Sequence, residues 1–342
     1  MLVRAKAPLR ISFAGGGTDV SPYPELYGGC VLNATIDNFA FGSLRPRTDT
    51  IVRLQSADLD LEVEFDSAAG VRFDGQLDLV KAALRKLGAL NSHGFEVFLH
   101  SDAPPGSGLG SSSALMVALV GLIKEYKGFA MDNYEIAEAA YSIERQEMNI
   151  SGGRQDQYAA AFGGFNFIEF EKDRTIVNPL RIRRDTINEL GHNLLLYYTG
   201  NTRRSDQIID DQTERLKTNV DDTVAALARQ KELAVAMKNL LLTNRLDEFG
   251  DLLDASWQTK KMLSPRITNS LIDEFYEEAR KKGALGGKIT GAGGGGFMMF
   301  YCEFEKRHLV AGQLRKMGAV PMEFAFETTG LQTWRAHAAV AV

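Results

Sequence analysis

Apolar positions along the chain follow two rhythms. Residues 9–14, 31–44 and 51–65 carry β-branched and aromatic side chains in partial alternation, the period-two pattern of half-buried strands. The first of these runs ends in Gly15, Gly16 and Gly17. Residues 77–87 read as a helix, and 95–99 as a short strand leading into Pro104 and Pro105. Residues 114–124 are apolar nearly all round, which predicts a buried helix. Asp132 followed by Glu135 has the form of a capping box and opens a helix that runs to about residue 148. After Gly152 and Gly153 come a short helix over 155–162 and a strand over 165–170, then another strand over 194–198. From 205 to 253 the pattern is helical and charged, with Leu and Ile at helical spacing. A further helix over 272–282 is stopped by Gly283, and 288–301 is a glycine cluster running into an apolar strand. Because strands arrive in runs at the start, the fold class is α+β with an antiparallel or mixed sheet rather than a doubly wound parallel one. A chain of 342 residues exceeds one small core, so two domains are expected, residues 1–185 and 186–342, divided near the charged stretch at 181–185.

Composition narrows the function. The chain is 44% hydrophobic and 24% charged, with a formal net charge of -5 and interspersed signs. A duplex-binding surface needs a basic face to displace counterions, so nucleic acid is disfavoured, while a local basic pocket for a phosphorylated metabolite stays open. Cys30 and Cys302 stand far apart in no metal-ligand spacing, and each reads as a small buried residue. The first residues lack the charged head, apolar run and small-residue cleavage site of a secretory signal, and no apolar stretch is long enough for a membrane span. A cytoplasmic protein acting on small molecules is expected, its oligomeric state open and a homodimer the one candidate assembly.

Four stretches carry chemistry. In Pro104, Pro105, Gly106, Ser107, Gly108, Leu109, Gly110, Ser111, Ser112, Ser113 and Ala114, glycines let successive backbone N–H groups turn into one concavity. The serines that follow open an apolar helix, whose unpaired N–H groups and positive dipole end favour an anion. A phosphate-binding loop is the physical reading, and a flexible turn with a serine cap is the plain alternative. Neither standard nucleotide loop fits, because the Lys of a P-loop is missing and the Gly-x-Gly is not completed. In the second stretch, Lys288 to Phe297, five glycines stand in six positions, Gly291 to Gly296. Ordering them costs entropy, so close backbone approach to a ligand or to another element is expected. The third stretch delivers Arg10 on a strand and, past the glycines, Thr18 and Asp19. An arginine can hold phosphoryl charge and a carboxylate can accept from sugar hydroxyls. In the fourth, Glu144 falls on the small-residue side of its helix, and Asp156 follows Gly152 and Gly153 near a helix start. A solvated charge and a helix cap are the respective alternatives.

In this order, the stretches resemble the motifs of the GHMP kinase superfamily, which includes galactokinases, homoserine kinases, mevalonate kinases and phosphomevalonate kinases. Within it, Gly15-Gly-Gly-Thr-Asp19, Ser21-Pro-Tyr-Pro24, Gly28-Gly-Cys-Val-Leu-Asn33, the run from Gly152 to Asn166, and Tyr198 to Ser205 are similar to kinases of D-glycero-D-manno-heptose 7-phosphate. Fucose-type sugar kinases share the glycine-rich variant. The resemblance implies a ribosomal-protein S5 domain 2-like N-terminal domain and a ferredoxin-like C-terminal domain. It implies ATP and Mg2+ as requirements, and phosphate transfer to the anomeric hydroxyl on the way to nucleotide-heptose and surface polysaccharide.

The resemblance also implies site roles. Residues Pro105, Gly106, Ser107, Gly108, Leu109, Gly110, Ser111, Ser112 and Ser113 would wrap the ATP phosphates. Ser112 and Glu144 would hold magnesium, with Ser113 as the other candidate hydroxyl. Asp156 and Arg10 would be catalytic. Gly16, Gly17, Thr18, Asp19, Gly153, Gly293 and Gly294 would face the sugar. Arg203 or Arg204, adjacent guanidinium groups after a turn, are candidates for its distal phosphate. Other readings are a kinase for fucose, galactose or a mevalonate-type alcohol, a non-catalytic sugar sensor on the same fold, and a nicotinamide dehydrogenase, which the incomplete dinucleotide fingerprint disfavours.

Overall fold

The computed structural model describes residues 2–90, 93–200, 205–218 and 220–336. The strands are β1 (Leu2–Ala14), β2 (Gly29–Pro46), β3 (Ile51–Ser56), β4 (Leu61–Asp66), β5 (Phe95–Ser101), β6 (Phe165–Phe170), β7 (Thr175–Pro179), β8 (Leu194–Tyr198), β9 (Ala284–Ile289), β10 (Phe297–Cys302), β11 (Val320–Pro321) and β12 (Gln332–Ala336). The α-helices are α1 (Tyr23–Tyr27), α2 (Asp78–Lys86), α3 (Ser111–Lys127), α4 (Asn133–Ser142), α5 (Gln155–Phe162), α6 (Arg184–Asn193), α7 (Ser205–Thr218), α8 (Val220–Thr243), α9 (Phe249–Lys261), α10 (Ser270–Lys281) and α11 (Phe304–Lys316). The arrangement is α+β, as the runs of strands predicted.

Two sheets carry the fold. The first runs β12-β1-β2-β5-β3-β4, with β6 pairing a further length of β2 and β7 pairing β6. Its pairs are antiparallel except β3 with β5, so the sheet is mixed. The long β2 serves both parts, pairing β5 through residues 40–46 and β6 through residues 29–34. The second sheet runs β11-β8-β10-β9 and is antiparallel throughout. Residues 332–336 fall in the second half of the expected division at 185/186, yet they return to the first sheet and pair β1.

Helix α3 lies on the first sheet and is buried from Ala114 to Ile123 except Leu115. Its apolar positions go all round because the sheet covers one side and α2, α4, α5 and the returning tail pack around the rest. A Cβ at Gly121 would lie 2.6 Å from Leu331 Cδ2, which accounts for a glycine inside a helix. Helix α4 has its capping box in full, with Asp132 and Glu135 each accepting from the other's backbone N–H. The expected single helix to residue 148 instead widens into a π-helical turn over Ile143–Glu147. Such single-turn π segments often accompany functional sites. This one carries Glu144, which is 1% exposed.

Candidate active site

The phosphate-loop stretch folds as its glycines require. Gly106, Gly108 and Gly110 all adopt positive φ, where a side chain would be strained. The Ser107 carbonyl accepts from Phe297 N at 2.9 Å, and the Gly108 carbonyl accepts from Thr290 Oγ1 at 3.0 Å. The loop is therefore fastened to β10 and to the turn before it. Gly110 occupies the N-cap of α3 and no side chain caps that end. The first backbone N–H groups of the helix have no intrahelical acceptor by geometry, so this end is suited to an anion.

The second glycine cluster meets the first directly. A Cβ at Gly291 would lie 2.5 Å from Gly108 Cα, and one at Gly296 would lie 2.2 Å from the Ser107 carbonyl oxygen. Backbone packs on backbone here, which answers why the chain bears the entropy of ordering so many glycines. Gly108, Gly291 and Ala292 border a cavity of about 480 Å³, together with Arg10, Asp19, Glu144 and Asp156.

Arg10 reaches this cavity from β1. Its Nε donates to Asp156 Oδ1 at 2.8 Å, a terminal nitrogen lies 2.7 Å from the same oxygen, and Nη1 donates to the Gly108 carbonyl at 2.6 Å. Arg10 is buried and Asp156, in the first turn of α5, is partly exposed to the cavity. Among the described residues no hydrogen bond reaches Asp156 Oδ2.

Asp19 is 2% exposed. It accepts from Gly17 N and Gln155 N, each at 3.1 Å, and from Gln155 Nε2 at 3.4 Å. Burial raises its pKa despite the backbone donor from Gln155, with the Asp156 charge adding in the same direction. A Cβ at Gly153 would fall 1.9 Å from Asp19 Oδ2, so that glycine is what allows the carboxylate to approach.

Glu144 faces inward. Its Oε2 accepts from Ser113 Oγ at 2.8 Å and from Gln157 Nε2, and its Oε1 lies 3.5 Å from Ser112 Oγ. Ser113 is buried while Ser112 is exposed. One carboxylate and one reachable hydroxyl, with room for water, suit a hard cation that keeps part of its hydration shell. The donor set fits magnesium.

Several expected site residues are placed elsewhere. Thr18 is fully buried, and its hydroxyl donates to the Gly15 and Cys30 carbonyls and accepts from Cys30 N, so it locks the turn that presents Asp19. Leu109 is in the core and Ser107 is buried behind the loop, each contributing a backbone carbonyl to an internal bond. Gly293 and Gly294 pack on Ile267, where Gly294 N donates to its carbonyl at 2.8 Å, while Gly291 and Ala292 border the cavity in their place. Pro105, Gly106, Gly108, Gly110, Ser111, Ser112, Ser113, Gly16, Gly17 and Gly153 line it. Arg203 and Arg204 lie outside the described residues.

Other cavity residues gave no separate signal in the sequence. Lys260, on α9, is 7% exposed and donates through Nζ to the Gly291 carbonyl at 2.7 Å. Its pKa is pulled down to about 8, first by burial and then by Arg10, against the opposing pull of Asp19 and Asp156. Behind it, Lys288 donates to the Ser12 carbonyl at 2.9 Å and ties β9 to β1. Burial also holds that amine well below the ordinary lysine range. Gln155 and Gln212 also border the cavity. Spacing alone could not separate Lys260 from the neighbouring half-buried Lys261.

The chain matches two family profiles, "GHMP kinases N terminal domain" over residues 78–164 and "GHMP kinases C terminal" over residues 233–320. It is 37% identical to a D-glycero-alpha-D-manno-heptose 7-phosphate kinase of Campylobacter jejuni, over 97% of this chain and 99% of that protein. Among solved structures, a D-glycero-D-manno-heptose 1-phosphate kinase from Bacteroides thetaiotaomicron superposes with a TM-score of 0.83 at 33% identity, covering 98% of this chain and all of that one (100%). The galactokinase of Lactococcus lactis, in complex with galactose, superposes with a TM-score of 0.74 at 22% identity over 97% of this chain and 95% of that one, a likeness of fold. With both profiles in order and a relative of this identity matched end to end, the chain belongs to the GHMP kinase family and has its two-domain fold.

Proposed function

We propose that this kinase transfers the terminal phosphate of ATP to the anomeric hydroxyl of D-glycero-D-manno-heptose 7-phosphate, giving the 1,7-bisphosphate and ADP. The observation that carries this is the sharing of one cavity by the uncapped start of α3 and the Arg10–Asp156 pair, in a chain whose full-length relative is named a heptose 7-phosphate kinase.

In this reading the N–H groups of the loop glycines Gly106, Gly108 and Gly110 and of the first residues of α3 receive the triphosphate. The sugar hydroxyl lies against Asp156 Oδ2, the oxygen that Arg10 leaves open. As the hydroxyl oxygen bonds to the terminal phosphorus, its proton passes to Asp156, and the bond from that phosphorus to the bridging oxygen breaks to release ADP. Phosphoryl transfer spreads charge over oxygens and depends on positioning more than on covalent help. Arg10 keeps Asp156 in place through Oδ1 and brings positive charge near the transferred group. Ser112 and Glu144 would hold magnesium, with Ser113 and Gln157 orienting the carboxylate; the ion would neutralise phosphate charge. Asp19 accepts from sugar hydroxyls, and Arg203 or Arg204 receives the distal phosphate.

A coupled ADP-release assay tests the assignment on heptose 7-phosphate beside fucose, galactose and mannose. The expected result is the highest kcat/KM on heptose 7-phosphate. Preference for fucose or galactose would replace the substrate and leave the reaction class. Stabilisation by sugar with no ADP release would replace the enzyme by a sensor.

A further inference from the structure

Three polar groups that no motif assigns converge above Gly16. A Cβ on Gly16 would sit 3.6 Å from Lys260 Nζ, 3.7 Å from Gln155 Nε2 and 3.9 Å from Ser12 Oγ. All four residues border the cavity. Ser12 is 3% exposed and its hydroxyl has no partner among the described residues. The Gln155 carbonyl oxygen is likewise buried without one. Lys260 gives one hydrogen bond, to Gly291, to the described residues and has donors to spare. Buried polar atoms left unpaired are costly, so the Ser12 hydroxyl, set beside the Lys260 and Gln155 nitrogens, calls for a ligand that pairs it.

We infer that Ser12, Gln155 and Lys260 form a subsite that reads neighbouring hydroxyls of the sugar, and that its phosphate is held elsewhere. The inference rests on the sugar-kinase reading above and deepens it. The surroundings of the three groups separate hydroxyls from phosphate. The Lys260 ammonium and the Gln155 amide nitrogen donate, and the Ser12 hydroxyl donates or accepts, which suits the oxygens of a vicinal diol. A phosphate dianion would stand beside the Asp19 carboxylate, which Gln155 Nε2 itself contacts. Arg10 from β1, Asp19 from the following turn, Asp156 from α5 and Lys288 from β9 surround the Lys260 ammonium and bring both signs of charge. Lys260 is bonded to the Gly291 carbonyl, so a sugar engaging it is linked through that bond to the second glycine cluster.

Calorimetric titration of heptose 7-phosphate and of the unphosphorylated heptose into wild type, Lys260→Met and Ser12→Ala tests this, with a non-hydrolysable ATP analogue as the check on folding. Lys260→Met should weaken both sugars by the same factor, about tenfold or more, as loss of a charged hydrogen bond implies. Ser12→Ala should also weaken both equally, by a smaller factor, and the analogue should bind each variant as it binds wild type. Weakening confined to the phosphorylated sugar would make Lys260 a phosphate ligand and overturn the inference. Unchanged binding of both sugars would overturn it too. If Lys260→Met fails to bind the analogue, Ser12→Ala decides by the same criterion. If wild type binds neither heptose, the substrate assignment fails by itself. The same comparison then runs on the sugar that supports ADP release and on its phosphate.

Discussion

Arg10 binds one oxygen of the Asp156 carboxylate twice, through Nε at 2.8 Å and a terminal nitrogen at 2.7 Å, and leaves the other oxygen to the cavity. That asymmetry suits a carboxylate that must stay in place and still take a proton. Asp156→Ala is therefore expected to lower kcat by about 10²–10⁴-fold, the usual range for a positioned acid or base. Nucleotide affinity, measured by calorimetry, should change little because the start of α3 is untouched. Near-normal turnover would remove Asp156 from the mechanism.

The two serines beside Glu144 stand in different surroundings, and magnesium titrations should tell them apart. Ser113 is buried and bonded to Glu144 Oε2 at 2.8 Å, while Ser112 is exposed at 3.5 Å from Oε1. Ser112→Ala should raise the magnesium concentration for half-maximal turnover by about tenfold or more, in the range seen when ligand-shell contacts are lost. Ser113→Ala should act mainly on stability, because it leaves a buried carboxylate oxygen with one partner fewer. The reverse pattern would make Ser113 the ligand.

Gly291 tests whether the contact between the glycine clusters matters. An added methyl would meet Gly108 Cα at 2.5 Å and the Gly108 carbonyl oxygen at 2.9 Å, both backbone atoms with little freedom to move aside. Gly291→Ala should destabilise the protein by about 1–3 kcal/mol through overpacking. It should also cut kcat by about 10²-fold, because displacing the phosphate loop misaligns the reacting groups. Denaturant melts and steady-state kinetics on one preparation check both.

Much of this was readable in the residues. Local signals with their own chemistry held: the Asp132–Glu135 capping box, the helix over Gln155–Phe162 and the strand over Phe165–Phe170 all form. Glycines from each run gather with Arg10, Asp19, Glu144 and Asp156 at one cavity. What escaped depends on partners distant in sequence. Strand β12 is short and partly polar, and it becomes a strand by pairing β1 more than 300 positions earlier. The family resemblance places Thr18 at the sugar, but its hydroxyl is consumed by the backbone around Cys30. Lys260 is one lysine in a charged helix, and it becomes a buried cation when the second sheet's glycine turn folds over it.

Burial of Lys260 also gives a signature in stability against pH. Its pKa in the native chain is about 8, below the ordinary lysine value near 10.4 in the unfolded chain. Between those values the unfolded chain binds the proton and the native chain does not, so this residue's contribution to stability rises with pH. Below about pH 8 both states are protonated, and the cost of burying the charge is felt in full. The stability of wild type relative to Lys260→Met should increase from pH 8 to 10, by at most about 1.4 kcal/mol per unit. A flat difference in denaturant melts across that range would mean that the native amine titrates normally.

Phosphorus NMR of a reaction containing ATP, magnesium and heptose 7-phosphate tests the central claim most directly, because it observes the transferred group itself. The account predicts a new phosphomonoester resonance coupled to the anomeric proton, growing as the terminal ATP signal falls, and absent with Asp156→Ala. Loss of terminal phosphate to inorganic phosphate alone, or a new ester at any carbon other than the anomeric one, would contradict it.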